Sequence, residues 1–299
     1  MTKAELVVDA RNATGESSVW RSEEQALYWV DIPARALHRW SADGHARWVA
    51  DEMLACIAPR ADKPGAWVAG MESGLFTVRP QADGTLLTER LAAVEHAMPG
   101  MRFNDGRCDR QGRFIAGTML MNMAAGARVA GVYSYQSDSG MLRELLDDLI
   151  VPNGIAFSPD GRTMYLSDSH PSVQTIWAFD YDTDSGTPSN RRVFVDMNPL
   201  PGRPDGAAID ADGCYWICGN DAGQVHRFTP EGKLDRSLDV PVKKPAMCAF
   251  GGPKLDTLFV TSIRPDGIDL SDQPLAGGLF ALRPGTQGIA EPAFGLALS

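Results

Sequence analysis

The sequence predicts an all-β fold, a six-bladed β-propeller, and three observations lead to it. Short apolar runs bounded by Gly, Pro, Asp and Asn predominate, whereas the periodicity of amphipathic helices is scarce. Two motifs alternate along the chain and recur together six times. Their repeat of about 40–50 residues, with four strands in each unit, is typical of propeller blades.

The first motif is a hairpin of two short strands joined by a tight turn. The turns contain Asp-Gly, Gln-Gly or Pro-Gly, and glycine supplies the positive φ that such turns require. The six hairpins are predicted at residues 15–31, 54–70, 103–117, 152–168, 204–219 and 245–262.

The second motif is a third strand, in which aliphatic and aromatic residues alternate before another turn and a fourth extended run. It is found as ALHRWSADG, GLFTVRPQADG, GVYSYQSDSG, TIWAFDYDTDSG, QVHRFTPEG and GLFALRPG. The last unit lacks its fourth strand, and AELVVDA near the N-terminus is predicted to complete it, which closes the ring and covers a sheet edge. We therefore expect one propeller domain over residues 1–299. A β-sandwich is the alternative, but six matched pairs of motifs favour the propeller.

The composition limits the classes of partner. Hydrophobic residues make up 44% and charged residues 22% of the 299 residues, as in ordinary globular proteins. The net charge of −10 disfavours nucleic acid, since phosphate backbones would be repelled. Five cysteines, an odd number without dense spacing, favour a reducing cytoplasm over a disulfide framework. The sequence contains no apolar run long enough for a membrane span, and we expect no signal peptide.

Four polar residues occupy the same position in four of the six units, at the start of the first hairpin strand. They are Glu16, Asn104, Asn153 and Asp205, each followed four residues later by Trp, Cys, Phe or Ile. This end of each inner strand points at the central channel of a propeller, so we expect the four side chains to converge. Asn-Gly and Asp-Gly are also ordinary turn dipeptides, and the matched register is what favours a shared site.

The chemistry of this set favours a divalent cation. Two carboxylates, on Glu16 and Asp205, and the amide carbonyl of Asn153 are hard oxygen donors that suit Ca²⁺, Mg²⁺ or Mn²⁺. Three protein ligands would leave coordination positions open for water and substrate, as in catalytic sites.

The chain resembles the SMP-30/gluconolactonase/LRE-like family of six-bladed propellers over nearly its whole length. The resemblance is carried by GESSVW, RFNDGRCDRQGRFIAGTM, PNGIAFSPDG, RPDGAAIDADGCYW, KKPAMCAFGG and QPLAGGLFAL. It implies Glu16, Asn153 and Asp205 as metal ligands, Asp205 also as general base, and Arg102 and Asn104 as substrate contacts. Many members carry Glu shortly after GTM, whereas this chain has GTMLMNM, with Asn122 as the nearest match.

The resemblance also implies the reaction, hydrolysis of a small sugar lactone to an aldonic acid in carbohydrate catabolism. The substrate would be a glucono-, galactono-, arabinono- or xylonolactone, or one with an acidic or sulfonated substituent. The cofactor would be one divalent ion, Ca, Zn, Mn, Mg or Fe(II), and the protein a monomer or weak homo-oligomer. Asp205 as base and direct activation of water by the ion both remain open. The alternative functions are a metal-dependent phosphotriesterase and a non-catalytic calcium-binding scaffold.

Several other residues carry separate expectations. Arg203 directly precedes Pro204-Asp205, so it could favour a substrate with an extra anionic group. His170 could line the mouth of the channel. His38 and His226 replace aromatic residues of sister strands, and Cys108 replaces an apolar residue, so these three are predicted to be structural.

Overall fold

The repeated hairpins form the inner half of six four-stranded sheets in the computed structural model, which describes residues 3–136 and 140–295. The predicted turn at 137–139 and the chain ends lie outside the described residues. The strands, in chain order, are β1 (Glu5–Val8), β2 (Gly15–Arg21), β3 (Ala26–Asp31), β4 (Ala36–Ser41), β5 (Gly44–Val49), β6 (Leu54–Pro59), β7 (Trp67–Met71), β8 (Gly74–Pro80), β9 (Leu86–Ala93), β10 (Met101–Cys108), β11 (Phe114–Leu120), β12 (Ala130–Tyr135), β13 (Leu142–Leu149), β14 (Pro152–Phe157), β15 (Thr163–Asp168), β16 (Thr175–Asp182), β17 (Thr187–Asp196), β18 (Arg203–Ile209), β19 (Tyr215–Asn220), β20 (Gln224–Phe228), β21 (Leu234–Asp239), β22 (Pro245–Gly251), β23 (Thr257–Ser262) and β24 (Leu279–Leu282). A short 3-10 turn, Met123–Ala125, follows β11.

Each sheet is one antiparallel blade, and its strands follow one another from the channel outwards. Blades one to five are β2–β5, β6–β9, β10–β13, β14–β17 and β18–β21. Blade six has the order β22-β23-β24-β1, so the N-terminal strand forms its outer edge. The inner strands of successive blades adjoin all the way round, and β22 adjoins β2. The six-bladed propeller with its last blade completed by the N-terminal strand is confirmed.

The core lies between the blades, where the apolar faces of neighbouring sheets meet. Every residue of the inner strand β14 is buried, whereas most of the outer strand β17 is exposed. Trp29, Trp67 and Trp216 are fully buried second-strand residues in three different blades. Such large aromatic side chains fill the widening space between sheets that diverge from a common axis. Within residues 3–136 and 140–295, no helix has the length and apolar character needed to cross a lipid bilayer.

The turns that join first and second strands lie at the end of the propeller away from the polar strand starts. Gly161 and Gly213 have φ of 73° and 78°, as predicted for Asp-Gly turns. In blade five the turn is stabilised by the side chain of Asp210, which is fully buried. Its carboxylate accepts hydrogen bonds from the backbone of Cys214 at 2.9 Å and from Arg227 Nε at 2.8 Å.

The two aspartates of this turn provide a matched pair for a stability test. Asp210→Ala would leave the buried guanidinium of Arg227 without its main partner, so we expect a loss of about 3 kcal/mol or more. Asp212 also contacts Arg227, at 2.8 Å, but its side chain is 69% exposed. For Asp212→Ala we expect a loss of about 1 kcal/mol or less. Urea denaturation followed by tryptophan fluorescence measures both, and equal losses would contradict the role given to Asp210.

Candidate active site

A cavity of about 530 Å³ opens at the end of the channel where the inner strands begin. Its polar wall contains Glu16, Arg102, Asn104, Asn153 and Asp205, all five from predicted site positions. They belong to the inner strands of blades one, three, four and five. The structure therefore brings together residues that are up to 189 positions apart in sequence (205 − 16 = 189).

An irregularity in every inner strand places these side chains. In each of the six blades the pairing of the first and second strands shifts by one residue close to the polar position. Glu16 and Asn153 are the last paired residues before the shift, whereas Asn104 and Asp205 lie within it. Bulges of this kind redirect a side chain relative to the regular pleat. The four residues are thus near-equivalent, with an offset of one residue between the two pairs.

The backbone after Glu16 and Asn153 adopts a left-handed conformation, which explains that offset. Ser17 has φ of 50° and Gly154 has φ of 60°. A left-handed serine is unfavourable by itself, so the surrounding structure must hold it there. Ser17 Oγ accepts a hydrogen bond from the backbone N–H of Ile57 at 2.8 Å, which fastens this turn to blade two.

A chain of hydrogen bonds runs across blades three, four and five beneath the cavity. Arg102 donates to Asn104 Oδ1 at 2.9 Å, and Asn104 Nδ2 donates to Asn153 Oδ1 at 2.9 Å. Asn153 Nδ2 donates to Ser169 Oγ at 2.7 Å, and that hydroxyl donates to the carbonyl oxygen of Pro204. The amide of Asn153 is therefore fixed in orientation. Its Oδ1 has a second lone pair and can accept one further ligand.

Asp205 is 6% exposed and is oriented by Asn220, whose Nδ2 donates to Oδ2 at 2.6 Å. Burial raises the pKa of Asp205 to about 7, and the bond from Asn220 opposes that rise only in part. One carboxylate oxygen is thus tied to the scaffold, while the other has no side-chain partner among the described residues.

Glu16 is buried beside Asp205. Burial raises the pKa of Glu16 well above its usual value, and the negative charges of Asp205 and Asp105 raise it further. Two buried carboxylates that repel each other are unfavourable unless a proton or a cation compensates them. The set therefore fits a divalent ion, since it supplies two carboxylates and one oriented amide oxygen. Among the described residues no three His, Cys, Asp or Glu side chains form such a site alone, so the amide is an essential part of the donor set.

The remaining predicted residues have different positions. Arg203 lines the cavity, and burial lowers the pKa of Arg102 to about 10. Asn122 is exposed and lies outside the cavity lining, in which its neighbours Met121 and Met123 take part. Its role as a substrate contact stays a prediction. His170 does not line the cavity.

His170 instead supports the loop that carries the methionines. Its Nδ1 contacts Ser172 Oγ at 2.7 Å and its Nε2 contacts the carbonyl oxygen of Met123 at 3.2 Å. The prediction of structural roles for His38, His226 and Cys108 agrees with their burial. His38 Nδ1 lies 2.9 Å from His45 Nε2, a contact that the spacing of the histidines in the sequence did not predict. The two rings meet because a short turn pairs β4 with β5.

Four polar residues of the cavity were not foreseen, namely Thr14, Ser169, Asn220 and Lys244. Asn220 ends the second strand of blade five, where blades one and four have Asp31 and Asp168. Those two aspartates accept hydrogen bonds from nearby backbone N–H groups. Comparison of the second strands, in addition to the first, would have shown that blade five departs from the repeat.

A larger cavity, of about 830 Å³, lies between the outer strand of blade five and the N-terminal strand. It is lined mainly by aliphatic side chains and contains no set of converging catalytic groups. The smaller cavity is therefore the candidate active site.

The fold and this site define a propeller with an oxygen-donor centre at one end of its channel, a class suited to hydrolysis at a polarised carbonyl. The sequence profile of the SMP-30/gluconolactonase/LRE-like region matches residues 14–264. The chain belongs to the SMP-30/gluconolactonase/LRE-like family.

Named relatives cover almost the whole chain. A 6-deoxy-6-sulfogluconolactonase of Pseudomonas putida is 38% identical, covering 96% of this chain and 97% of the relative. An L-arabinolactonase of Azospirillum brasilense is 35% identical over 98% of this chain and 95% of the relative. A regucalcin of Danio rerio is 34% identical over 93% of both chains. The expected enzyme class, a hydrolase of ester bonds, is confirmed by the lactonases among them.

Two solved structures are similar over their full lengths. A luciferin-regenerating enzyme has a TM-score of 0.90 at 25% identity, and the match covers 99% of this chain and 100% of that chain. A calcium-binding protein, regucalcin, from Agrobacterium tumefaciens strain C58 has a TM-score of 0.89 at 27% identity, with 99% and 98% covered.

The raised pKa of Asp205 predicts how stability depends on pH when divalent ions are removed by a chelator. The folded protein holds a proton on Asp205 up to about pH 7, whereas the unfolded chain releases it near pH 4. Between these pH values the folded state binds more protons than the unfolded state. The contribution of Asp205 to the free energy of unfolding therefore falls as pH rises. A divalent ion should restore stability most at the high end of this range.

Differential scanning fluorimetry measures this effect as a function of pH, with and without Ca²⁺ or Mn²⁺. Burial lowers the pKa of His38 to about 3, and this group acts in the opposite direction below neutral pH. The matched control is therefore Asp205→Asn. In this variant the fall in stability caused by Asp205 should be absent, whereas the effect of His38 should remain. Identical pH profiles for the two chelated proteins would contradict the assignment.

Proposed function

We propose that this protein is a divalent-metal-dependent lactonase that hydrolyses a sugar lactone to the aldonic acid, within a single propeller domain over residues 1–299. The observation that carries the proposal is the meeting of two buried carboxylates and one oriented amide in a single cavity. Relatives named as lactonases for sulfogluconolactone and arabinolactone support a lactone as the reacting group rather than a phosphotriester. A cavity with an arginine and an asparagine beside the carboxylates favours catalysis over the alternative of a calcium-binding scaffold.

Glu16, Asn153 and Asp205 would hold the ion. When bound, the ion would polarise the lactone carbonyl and stabilise the charge that develops on its oxygen. Asn104 keeps Asn153 Oδ1 turned towards the cavity, and Ser169 holds the other side of the same amide. The amide thus needs no rearrangement before it binds the ion, which favours affinity.

Asp205 would act as the general base. Its carboxylate accepts a proton from the attacking water as the new bond to the carbonyl carbon forms. The bond from the carbonyl carbon to the ring oxygen then breaks, and the same proton passes to that oxygen, which becomes the hydroxyl of the open acid. Asn220 holds Oδ2 of Asp205 in place, so Oδ1 would accept and release the proton.

Arg102 and Asn104 would position the substrate. Arg102 uses Nη1 to bind the carbonyl oxygen of Phe103 at 2.7 Å and Asn104 Oδ1 at 2.9 Å. Among the described residues no hydrogen bond occupies Nη2, so it can donate to a sugar hydroxyl or to the carboxylate of the product. Burial strengthens such a charge-assisted bond.

Composition and cysteine chemistry support the proposed setting. We propose that the reaction takes place in the cytoplasm, because all five cysteines are buried thiols without disulfide partners. The net charge of −10 disfavours a nucleic-acid partner. We propose a monomer or a weak homo-oligomer that acts on a small-molecule lactone.

The test is hydrolysis of a panel of neutral and substituted aldonolactones, together with aryl esters and a phosphotriester, followed by proton release. Activity should require Ca²⁺, Mn²⁺, Mg²⁺, Zn²⁺ or Fe²⁺ and disappear with a chelator. Asp205→Ala and Asp205→Asn should lower kcat at least about 1000-fold, because they remove both a ligand and the base. The control is Asp212→Ala, on the exposed turn, which should keep activity.

Two results would contradict the proposal. A protein inactive on every lactone with each ion supplied is not a lactonase. Full activity after exhaustive chelation would remove the ion from the reaction and with it the roles of Glu16 and Asn153.

A further inference from the structure

The cavity is polarised across the propeller axis. In a ring of six blades, blade two lies opposite blade five and blade three lies opposite blade six. Blades five and six contribute Arg203 and Lys244 to the cavity wall, and blades two and three contribute methionines. A bound lactone would therefore lie between these two cations, here called the basic wall, and the methionines, here called the methionine wall. Asp205 of blade five and Arg102 and Asn104 of blade three line the same cavity but belong to the catalytic set.

The basic wall is a fixed arrangement of two cations around one carboxylate. Arg203 Nε donates to Asp221 Oδ2 at 2.6 Å, and Lys244 Nζ donates to Asp221 Oδ1. Arg203 also reaches the carbonyl oxygen of Ser169 at 3.4 Å and Asn220 Oδ1 at 3.5 Å. The three side chains of Arg203, Lys244 and Asp221 together keep one net positive charge, although the whole chain carries −10.

This charge is partly shielded from water. The side chains of Arg203 and Lys244 are 21% and 26% exposed, and both line the cavity. Partial burial strengthens the attraction between a cation and an anionic group of a ligand. The three-residue arrangement holds both long side chains in place, so less side-chain entropy is lost when an anion binds.

On the opposite wall the side chains are uncharged apart from Arg102, which belongs to the catalytic set. Met53 of blade two and Met119, Met121 and Met123 of blade three line it. Thioether side chains adapt to the shape of a ligand but accept hydrogen bonds only weakly. This wall is suited to the less polar face of a sugar ring, and the recognition of a charged substituent falls to Arg203 and Lys244.

We propose that Arg203 and Lys244 form a subsite for a second anionic group on the substrate, a carboxylate, sulfonate or phosphate at the end remote from the lactone carbonyl. The inference rests on the proposed lactonase activity and specifies its substrate class. The anionic end lies over blades five and six, and the methionine wall covers the ring.

The experiment compares kcat/KM for an aldonolactone ending in a neutral hydroxymethyl group with its carboxylate, sulfonate and phosphate counterparts. The wild-type protein should prefer at least one anionic form, and the strongest preference identifies the anion. Lys244→Gln removes the net charge of the wall, so the ratio of anionic to neutral kcat/KM should fall about tenfold, chiefly through KM. Arg203→Gln should lower the same ratio.

The matched control is Lys243→Gln. Lys243 is the preceding residue, its Nζ pairs with Asp272, and it does not line the cavity. This variant removes the same net charge from the protein but should leave the ratio unchanged. An equal fall in Lys243→Gln would show a long-range charge effect and overturn the subsite.

The outcomes separate the subsite from the lactonase proposal. Hydrolysis of neutral lactones with an anionic preference that neither Lys244→Gln nor Arg203→Gln lowers would overturn the subsite alone. Turnover of no lactone would overturn the lactonase, and calorimetry then tests the subsite with the metal-loaded protein. A dianionic aldaric acid should bind about tenfold more weakly to Lys244→Gln than to Lys243→Gln, and equal binding would overturn the subsite.

Discussion

The repulsion between two buried carboxylates, Glu16 and Asp205, is the constraint on which the site depends. Burial makes the charged form of each unfavourable, and the charge of Asp205 raises the pKa of Glu16 further. A folded protein keeps such a pair only where a cation or protons compensate it. The arrangement therefore lowers the stability of the ion-free protein and provides a strong, oriented electric field at one end of the channel.

The propeller supports this pair because each blade brings one strand start to the axis. The same shift in strand pairing recurs in all six inner strands. Polar site residues lie at this shift in blades one, three, four and five. Hydrogen bonds from Arg102 through Asn104 and Asn153 to Ser169 then join neighbouring blades. Orientation of Asn153 is thus a property of three neighbouring blades rather than of one loop.

Repetition explains how much of this was predictable. Six copies of one hairpin predict the number of blades, and alignment of the copies predicts Glu16, Asn104, Asn153 and Asp205 at the channel. Departures from the repeat were not predictable in the same way. Their side chains depend on contacts between blades, as Asn220 does when it binds Asp205.

The orientation of loop side chains was likewise not predictable from the repeat. Alignment of the GTM segment suggested Asn122, yet Met121 and Met123 line the cavity, because a short 3-10 turn decides which side chains face inwards. Lys244 precedes its strand, and only the folded ring brings it to Asp221. Specificity therefore depends on loop geometry that local pattern does not encode.

The most direct measurement of the central claim is a crystal structure of the protein with Mn²⁺, in which anomalous scattering locates the ion. The account predicts one ion in the 530 Å³ cavity, coordinated by carboxylate oxygens of Glu16 and Asp205 and by Asn153 Oδ1. An ion bound elsewhere, or an empty cavity at saturating Mn²⁺ with both carboxylates protonated, would contradict it.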